Sequence, residues 1–282
     1  MRAIGLTSLL ILIALVRAGR FSAQVPSFDV SSIKPNVTAG DSVTQAGFNG
    51  RFTATRVSLR SLILRAYAIH DSQLIGAPAW VGAERFDVEA RVEAAPPGGP
   101  ENLMPMLRTL LGDRFRLRMH TEMRELPAFL LTLARRDRRL GPQVRATEAD
   151  CTRATQLTAA EIRAQARDGW PPCGMVYTVS FVAAAATGLE NKTRMRRSGI
   201  SMKDFAATLQ TNIDRPVVDR TGLEGRFDVE YSFAAAPATA DAGGNQPTLL
   251  MALEEQLGLK LEAQRTEVPV LVIDSVDRLI EN

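Results

Sequence analysis

The chain has few of the residues that most often build metal centres and nucleophilic sites. Its 282 residues include only two histidines, His70 and His120, and two cysteines, Cys151 and Cys173. Neither histidine has a metal-like companion at short spacing, and two cysteines without a nearby histidine form an incomplete ligand set. We therefore predict no metal site. We interpret both histidines as structural residues, at the surface or half-buried, rather than as catalytic groups.

Glycine-rich binding motifs are also missing. No serine is surrounded by the glycine pattern of a nucleophile elbow. The sequence contains neither a phosphate loop nor a dinucleotide-binding glycine fingerprint. The commonest cofactor-binding classes are therefore excluded, and we predict no cofactor.

The apolar run near the amino terminus, residues 9–16, is too short to span a bilayer stably. With Arg2 before it, this run is typical of a secretory signal, and we interpret residues 1–23 as a signal peptide. Cleavage after Ala18 and cleavage after Ala23 both fit, while a buried helix or an uncleaved anchor are the alternatives. We expect an exported protein, periplasmic or extracellular, with no stable membrane span after cleavage.

The chain also lacks a strong excess of one charge. Removal of the signal, with Arg2, Arg17 and Arg20, lowers the formal net charge from +3 to 0. Two local arginine clusters remain, at 135–139 and 194–197, but no aromatic residues are interleaved with them to stack on bases. We interpret the clusters as solvated loop charge and predict no nucleic-acid partner.

Cys151 and Cys173 lie in a segment rich in glycine, proline and alanine. In an oxidising compartment they would pair, closing a loop of about twenty residues worth roughly 3 kcal/mol in the chain-entropy picture. Two free structural thiols are the alternative.

What the sequence does contain is an internal similarity. Arg-Phe-Asp-Val-Glu at 85–89 reappears at 226–230, and each copy lies between helix-like and strand-like runs in the same order. We predict an α+β fold: two tandem repeats of a small mixed or antiparallel sheet with two helices each, plus an insertion between them. The expected organisation is a signal peptide (1–23), an N-terminal strand with the first repeat (24–139), the insertion (140–195) and the second repeat (196–282).

Local signals predict where the elements begin and end. Ser58 is expected to cap the first helix, and Ser201 with Asp204 has capping-box spacing at the corresponding helix of the second copy. The second helix of each copy is expected to stop at glycine, Gly112 or Gly258. Two short strands should follow each stop, the later one led by proline, at 126–131 and 268–273.

The repeated motif supplies the best candidates for paired acid chemistry. Period-two geometry places Phe and Val on one strand face and the charged residues on the other. The candidates are Asp87, Glu89, Asp228 and Glu230. Their neighbours Arg85 and Arg226 favour the alternative, a charged ladder on an exposed sheet face. The stretch 218–223 has the composition of a turn.

Several of these segments together resemble an uncharacterised family of soil-associated bacterial exported proteins, a domain of unknown function. The segments are 26–36, 50–54, 110–117, 216–223, 257–261 and 270–274. The resemblance implies an exported protein without assigned catalytic residues, in some relatives a domain beside membrane-embedded sensor peptidases. Each repeat is also weakly similar to the short N-terminal domains of secretins and TonB-dependent transducers, which bind other envelope proteins.

These observations favour a non-enzymatic protein-interaction or ligand-binding module of the cell envelope. Its partner would be another envelope protein or an extracellular ligand, bound at an exposed sheet edge or in a groove between the repeats. One alternative is an extracellular hydrolase that uses carboxylates from both repeats, which requires those groups to meet in a cleft. Another is a purely structural domain without a concave pocket.

Overall fold

The computed structural model describes residues 25–46, 50–93, 100–147, 176–181, 192–234 and 248–279, together with Glu161, Ala164, Trp170 and Pro171. Within these residues the fold is α+β. The helices are α1 (Leu59–Tyr67), α2 (Ala79–Ala83), α3 (Met104–Phe115), α4 (Met202–Leu209) and α5 (Leu249–Ala252), the last continuing as a π-helical turn over Leu253–Leu257.

The strands are β1 (Val30–Pro35), β2 (Val43–Ala46), β3 (Arg51–Val57), β4 (Leu74–Ile75), β5 (Phe86–Arg91), β6 (Arg118–Leu133), β7 (Val144–Thr147), β8 (Val176–Phe181), β9 (Lys192–Ile200), β10 (Val217–Asp219), β11 (Arg226–Ala234) and β12 (Leu259–Ser275). They form three four-stranded sheets. The N-terminal sheet has the order β1-β5-β3-β2, the C-terminal sheet β7-β11-β9-β8, and the central sheet β10-β6-β12-β4.

The same order of elements occurs twice along the chain. Strand, helix, short strand, strand, helix and long strand follow one another from β3 to β6 and again from β9 to β12, except that α2, between β4 and β5, has no counterpart in the second half of the described residues. The halves are not separate, as a simple tandem arrangement would have them. Short strand β4 pairs in parallel with β12 of the other half, short strand β10 pairs in parallel with β6, and β6 pairs antiparallel with β12. Each half thus contributes to the central sheet.

Each of the two main hydrophobic cores contains a residue from the long strand of the other half. The N-terminal core is built on Phe52, Phe86 and Phe115, and it also receives Ile273 from the end of β12. The C-terminal core is built on Phe205 and other large side chains, and it receives Leu131 from the end of β6. Each long strand therefore begins beside the core of its own half and ends in the core of the other.

Most local expectations about helix ends are confirmed. The side chain of Ser58 accepts a hydrogen bond from Ser61 N, and that of Ser201 accepts one from Asp204 N. Gly258 ends its helix in the left-handed conformation, with φ 67°. The prediction for Gly112 is wrong, because α3 continues through it to Phe115 and the left-handed residue is Arg116, with φ 47°.

The predicted strand breaks before Leu126 and Val268 are also wrong. β6 runs without interruption through Pro127, and β12 through Pro269. Their pairing keeps one register from Leu259 opposite Leu133 to Ile273 opposite Met119.

Two expectations lie outside the described residues, the signal peptide and the pairing of Cys151 with Cys173. Within the predicted insertion, Val176–Phe181 form strand β8. None of the helices in the described ranges is both long and apolar enough to cross a membrane.

Gly141 lies between β6 and β7, where the chain crosses the end of the π-helical turn Leu253–Leu257. Its N–H donates to Leu257 O at 2.8 Å, and Gln143 N donates to Gln256 O at 3.2 Å. A Cβ at position 141 would lie 2.2 Å from Gln256 O and 2.6 Å from Gln256 C, both backbone atoms. Only glycine fits at this crossing without a backbone shift.

We expect Gly141→Ala to lower the free energy of unfolding by about 1–3 kcal/mol or more, because the new methyl group meets fixed backbone. Gly112→Ala is the matched control. Its Cβ would have only Leu117 O nearby, at 4.0 Å, so the better helix propensity of alanine should raise stability by about 0.5–1 kcal/mol. Urea denaturation measures both changes, and equal effects of the two substitutions would contradict the crossing argument.

Candidate functional site

Matching β-bulges occur in the two outer sheets. Between Ala54 and Val57, β3 contains one residue more than the facing part of β5. β9 has the same extra residue opposite β11, between Arg197 and Ile200. In each bulge one residue has positive φ, 57° at Arg56 and 63° at Gly199. Such bulges bend a strand and leave a backbone N–H without its ladder partner.

The repeated aspartates accept these N–H groups. Asp87 lies opposite the first bulge and accepts from Arg56 N at 2.9 Å, while Asp228 lies opposite the second and accepts from Gly199 N at 2.9 Å. The amide of Asn36, just after β1, also donates to both Asp87 carboxylate oxygens at 2.8 and 2.9 Å. Each aspartate therefore fixes the bend of the facing strand, β3 or β9, where that strand leads into the following helix.

The repeated glutamates pair within their own sheets. Glu89 is 74% exposed at its side chain and lies 3.9 Å from Arg51. Glu230 is less exposed and lies 3.2 Å from Arg196 and 3.6 Å from Arg194. The alternation predicted for this motif is confirmed, because Phe86, Val88, Phe227 and Val229 are all buried. The contacts found for the four carboxylates lie within the outer sheets, not in a shared cleft.

The histidines and the 218–223 segment have local roles. His70 caps a 3₁₀ turn over Asp71–Gln73. His120 Nδ1 lies 2.6 Å from Asp274 Oδ1 on the paired strand. Asp219 accepts hydrogen bonds from Thr221 N and Thr221 Oγ1, at 2.9 and 2.8 Å, which confirms the predicted turn.

One face of the central sheet has an exposed middle. Since β6 and β12 pair odd residue with odd residue, odd positions of both strands share a face. All eight odd positions from 121 to 127 and from 263 to 269 are exposed. We call these side chains the ribbon floor: Thr121, Met123, Glu125, Pro127, Ala263, Arg265, Glu267 and Pro269.

The two cores cover the same face on either side of the ribbon floor. Met119, Leu271 and Ile273, at one end, pack in the N-terminal core. Leu131 and Leu259, at the other end, pack in the C-terminal core. The seven residues from 121 to 127 span roughly 20 Å at the usual rise per residue. The ribbon floor is therefore an exposed strip of four polar and four apolar side chains between the two cores, crossed by the ion pair of Arg265 Nε with Glu125 Oε1 at 2.8 Å.

Both long strands have a long outer edge that no described strand pairs. β10 pairs with β6 only at Phe129–Leu131, which leaves residues 118–128, the β6 edge. β4 pairs with β12 only at Leu271–Val272, which leaves residues 259–270, the β12 edge. Phe129 N donates to Pro216 O, so odd residues of β6 direct their N–H away from β12. Pro269 O accepts from the side chain of Gln73, which gives the same direction for odd residues of β12.

Pro127 and Pro269 occupy positions whose backbone nitrogen faces outward. Both are odd residues, so the N–H that proline lacks would have faced outward rather than towards the paired strand. The ladder loses no hydrogen bond at either position. Sequence reasoning missed the ribbon floor because it treated each proline as the beginning of a new strand. The sequence carries no polar–apolar alternation that would have joined the segments, since the even positions Glu122, Arg124 and Glu262 are charged as well.

We expect Asp87→Ala to cost about 1–3 kcal/mol of unfolding free energy, because it leaves Arg56 N and the Asn36 amide without their acceptor. Asp228→Ala should cost less, since it removes the acceptor of Gly199 N alone among the described contacts. Glu89→Ala is the control and should change stability by under about 0.5 kcal/mol. Chemical denaturation tests the order, and a Glu89 effect as large as that of Asp87 would contradict the assigned role.

Comparison with known proteins gives a family without an assigned activity. The model of a family described as "Protein of unknown function (DUF3738)" matches residues 60–276, from α1 to just beyond β12. No curated protein and no solved structure matches the chain. Since the match covers well over half of the 282 residues, the chain belongs to this family of proteins of unknown function.

Proposed function

We propose that this chain is an exported, non-enzymatic protein-interaction module of the cell envelope. In this proposal, an extended segment of another envelope protein adds to the β12 edge and lies beside the ribbon floor. The single observation that carries the proposal is the β12 edge, which no strand among the described residues pairs, in a sheet built by both halves of the chain. Strand addition of this kind takes its affinity from main-chain hydrogen bonds and its specificity from alternate side chains.

The chemistry of the β12 edge supports a polar, extended partner. Its outward N–H groups include those of Ala263, Arg265 and Glu267, whose side chains are all exposed. The charged side chains Arg265 and Glu267 sit two residues apart on one face, so a partner strand with the opposite order of charges would be favoured. Export rests on the amino-terminal sequence, in which Arg2 precedes a short apolar run.

The contacts of the repeated carboxylates give the hydrolase alternative no support. Asp87 and Asp228 are hydrogen-bonded to bulge N–H groups of separate sheets. A glycosidase-like pair requires two carboxyl groups facing each other across roughly 5–10 Å. The observed partners instead explain why the motif contains an aspartate at these positions.

We also propose that the two halves are copies of one ancestral unit. The recurring order of elements, the matching bulges and the matching aspartate acceptors support this. In such a duplicated unit, the short strand of each half pairs with the long strand of the other half. The resulting central sheet contains both the β6 edge and the β12 edge.

A photo-crosslinking residue at Ala263, in the native envelope, tests the proposed binding mode. We expect a covalent adduct with another envelope protein, and we expect Glu267→Pro to reduce its yield about tenfold, because a lost main-chain hydrogen bond is worth about 1.4 kcal/mol. Glu267→Pro removes an outward N–H in the way that Pro269 does natively, so the β6–β12 ladder is retained.

The same crosslinker at Lys203, an exposed position in α4, is the control for chance encounters. An adduct that forms equally well from Lys203, or one that Glu267→Pro leaves unchanged in a protein of unaltered circular dichroism, would contradict the proposed edge. Cell fractionation of the same strain tests export, which requires the chain to be absent from the cytoplasmic fraction.

A further inference from the structure

The geometry points to a second interaction, distinct from the β12 edge: we propose that two copies of this chain form a two-fold symmetric dimer through their β6 edges. The two edges would pair antiparallel and join the two central sheets into one. Three features of the β6 edge favour such a dimer: its length, its order of charges and the direction of its N–H groups.

The β6 edge is limited at both ends by the fold. It begins at Arg118, just after α3 and Arg116, and it ends before Phe129, where β10 starts to pair. The midpoint of residues 118–128 is Met123, which is 56% exposed. In an antiparallel pair centred on Met123, Arg118 faces residue 128 of the other copy, so each strand fills the free length of the other. β6 of the other copy then begins opposite residue 128, next to Phe129, where β10 starts to pair.

The charges on either side of this midpoint are complementary. Glu122 and Arg124 are equidistant from Met123, so the two-fold axis sets Glu122 of each copy opposite Arg124 of the other. Within one copy these two side chains already form an ion pair. The dimer would place four alternating charges side by side, where opposite charges on facing strands are favourable.

The direction of the backbone hydrogen bonds also suits a dimer paired about Met123. Odd residues of β6 face outward, and pairing about Met123 matches odd residues with odd residues. Met119, Thr121, Met123 and Glu125 of each copy can donate to the facing carbonyl groups. Pro127, which has no N–H, falls near the end of the paired segment, where its missing donor costs least.

The β12 edge does not repeat this arrangement in the equivalent register. Pro269 of β12 occupies the place of Pro127, which puts Arg265 in the place of Met123. A two-fold axis there would set Arg265 against its own copy, and Pro269 O already accepts from Gln73 at 2.8 Å. The self-complementary pattern therefore belongs to the β6 edge.

Charge exchange gives the sharpest test. The chain, purified as the cell processes it, is examined by sedimentation equilibrium over a wide concentration range. We expect a monomer–dimer equilibrium for the native chain, and we expect Glu122→Arg or Arg124→Glu alone to weaken dimerisation at least about tenfold, since each sets like charges opposite one another. The double variant Glu122→Arg with Arg124→Glu should restore most of the native affinity.

Matched proline variants provide the second measurement. Thr121→Pro removes an outward N–H from the β6 edge and should abolish the dimer, whereas Ala263→Pro, the corresponding position of β12, should leave it intact. A native chain that stays monomeric at every concentration would overturn the proposal, and so would a dimer that the single charge reversals and Thr121→Pro leave unchanged. Crosslinking from Ala263 reports separately on the envelope partner, so the failure of one proposal does not imply failure of the other.

Discussion

The structure depends on the antiparallel pairing of β6 with β12. One register holds from Leu259 opposite Leu133 to Ile273 opposite Met119, and both ends of that ladder lie in a hydrophobic core. A slip of one residue would reverse the faces, withdrawing Leu131 and Ile273 from the cores and turning the exposed ribbon floor towards the other side. Both cores therefore specify the register, and the register in turn determines where the edges and the ribbon floor lie.

The aspartates of the repeated Arg-Phe-Asp-Val-Glu motif, which were candidates for acid chemistry, have a structural role at the bulges. A β-bulge leaves an N–H that needs an acceptor, and a short carboxylate on the facing strand provides one at the right distance. In the C-terminal sheet a glycine adopts the positive φ without steric cost, whereas in the N-terminal sheet Arg56 does so against the preference of its side chain. Asp87, with Asn36 fixing both of its oxygens, holds the more strained of the two bends.

Local features of the fold could be predicted from the sequence, because local rules decide them. Ser58 and Ser201 cap helices, Gly258 ends one, and Phe86 and Val88 alternate with charged residues as period two requires. The exchange of β4 and β10 was beyond prediction, since strands of two and three residues carry no information about distant partners. The ribbon floor was missed for a related reason. A proline breaks a strand only if its nitrogen faces the paired strand, and the direction of that nitrogen is set by the partner strand.

Exposed edges normally invite uncontrolled pairing, so their persistence needs a physical reason. Each long edge here is closed at one end by a short strand from the other half of the chain, and each contains a proline near that end. The exchange that completes the central sheet therefore also fixes the length of strand that either edge can accept. Along the rest of each edge, the order of charged side chains decides which partner strand can pair with it. Glu122 and Arg124 are symmetric about Met123, whereas Arg265 is central in the equivalent frame of β12. In the proposed duplication, one scaffold would thus present two edges of similar length and different charge order, one suited to its own copy and the other to a different chain.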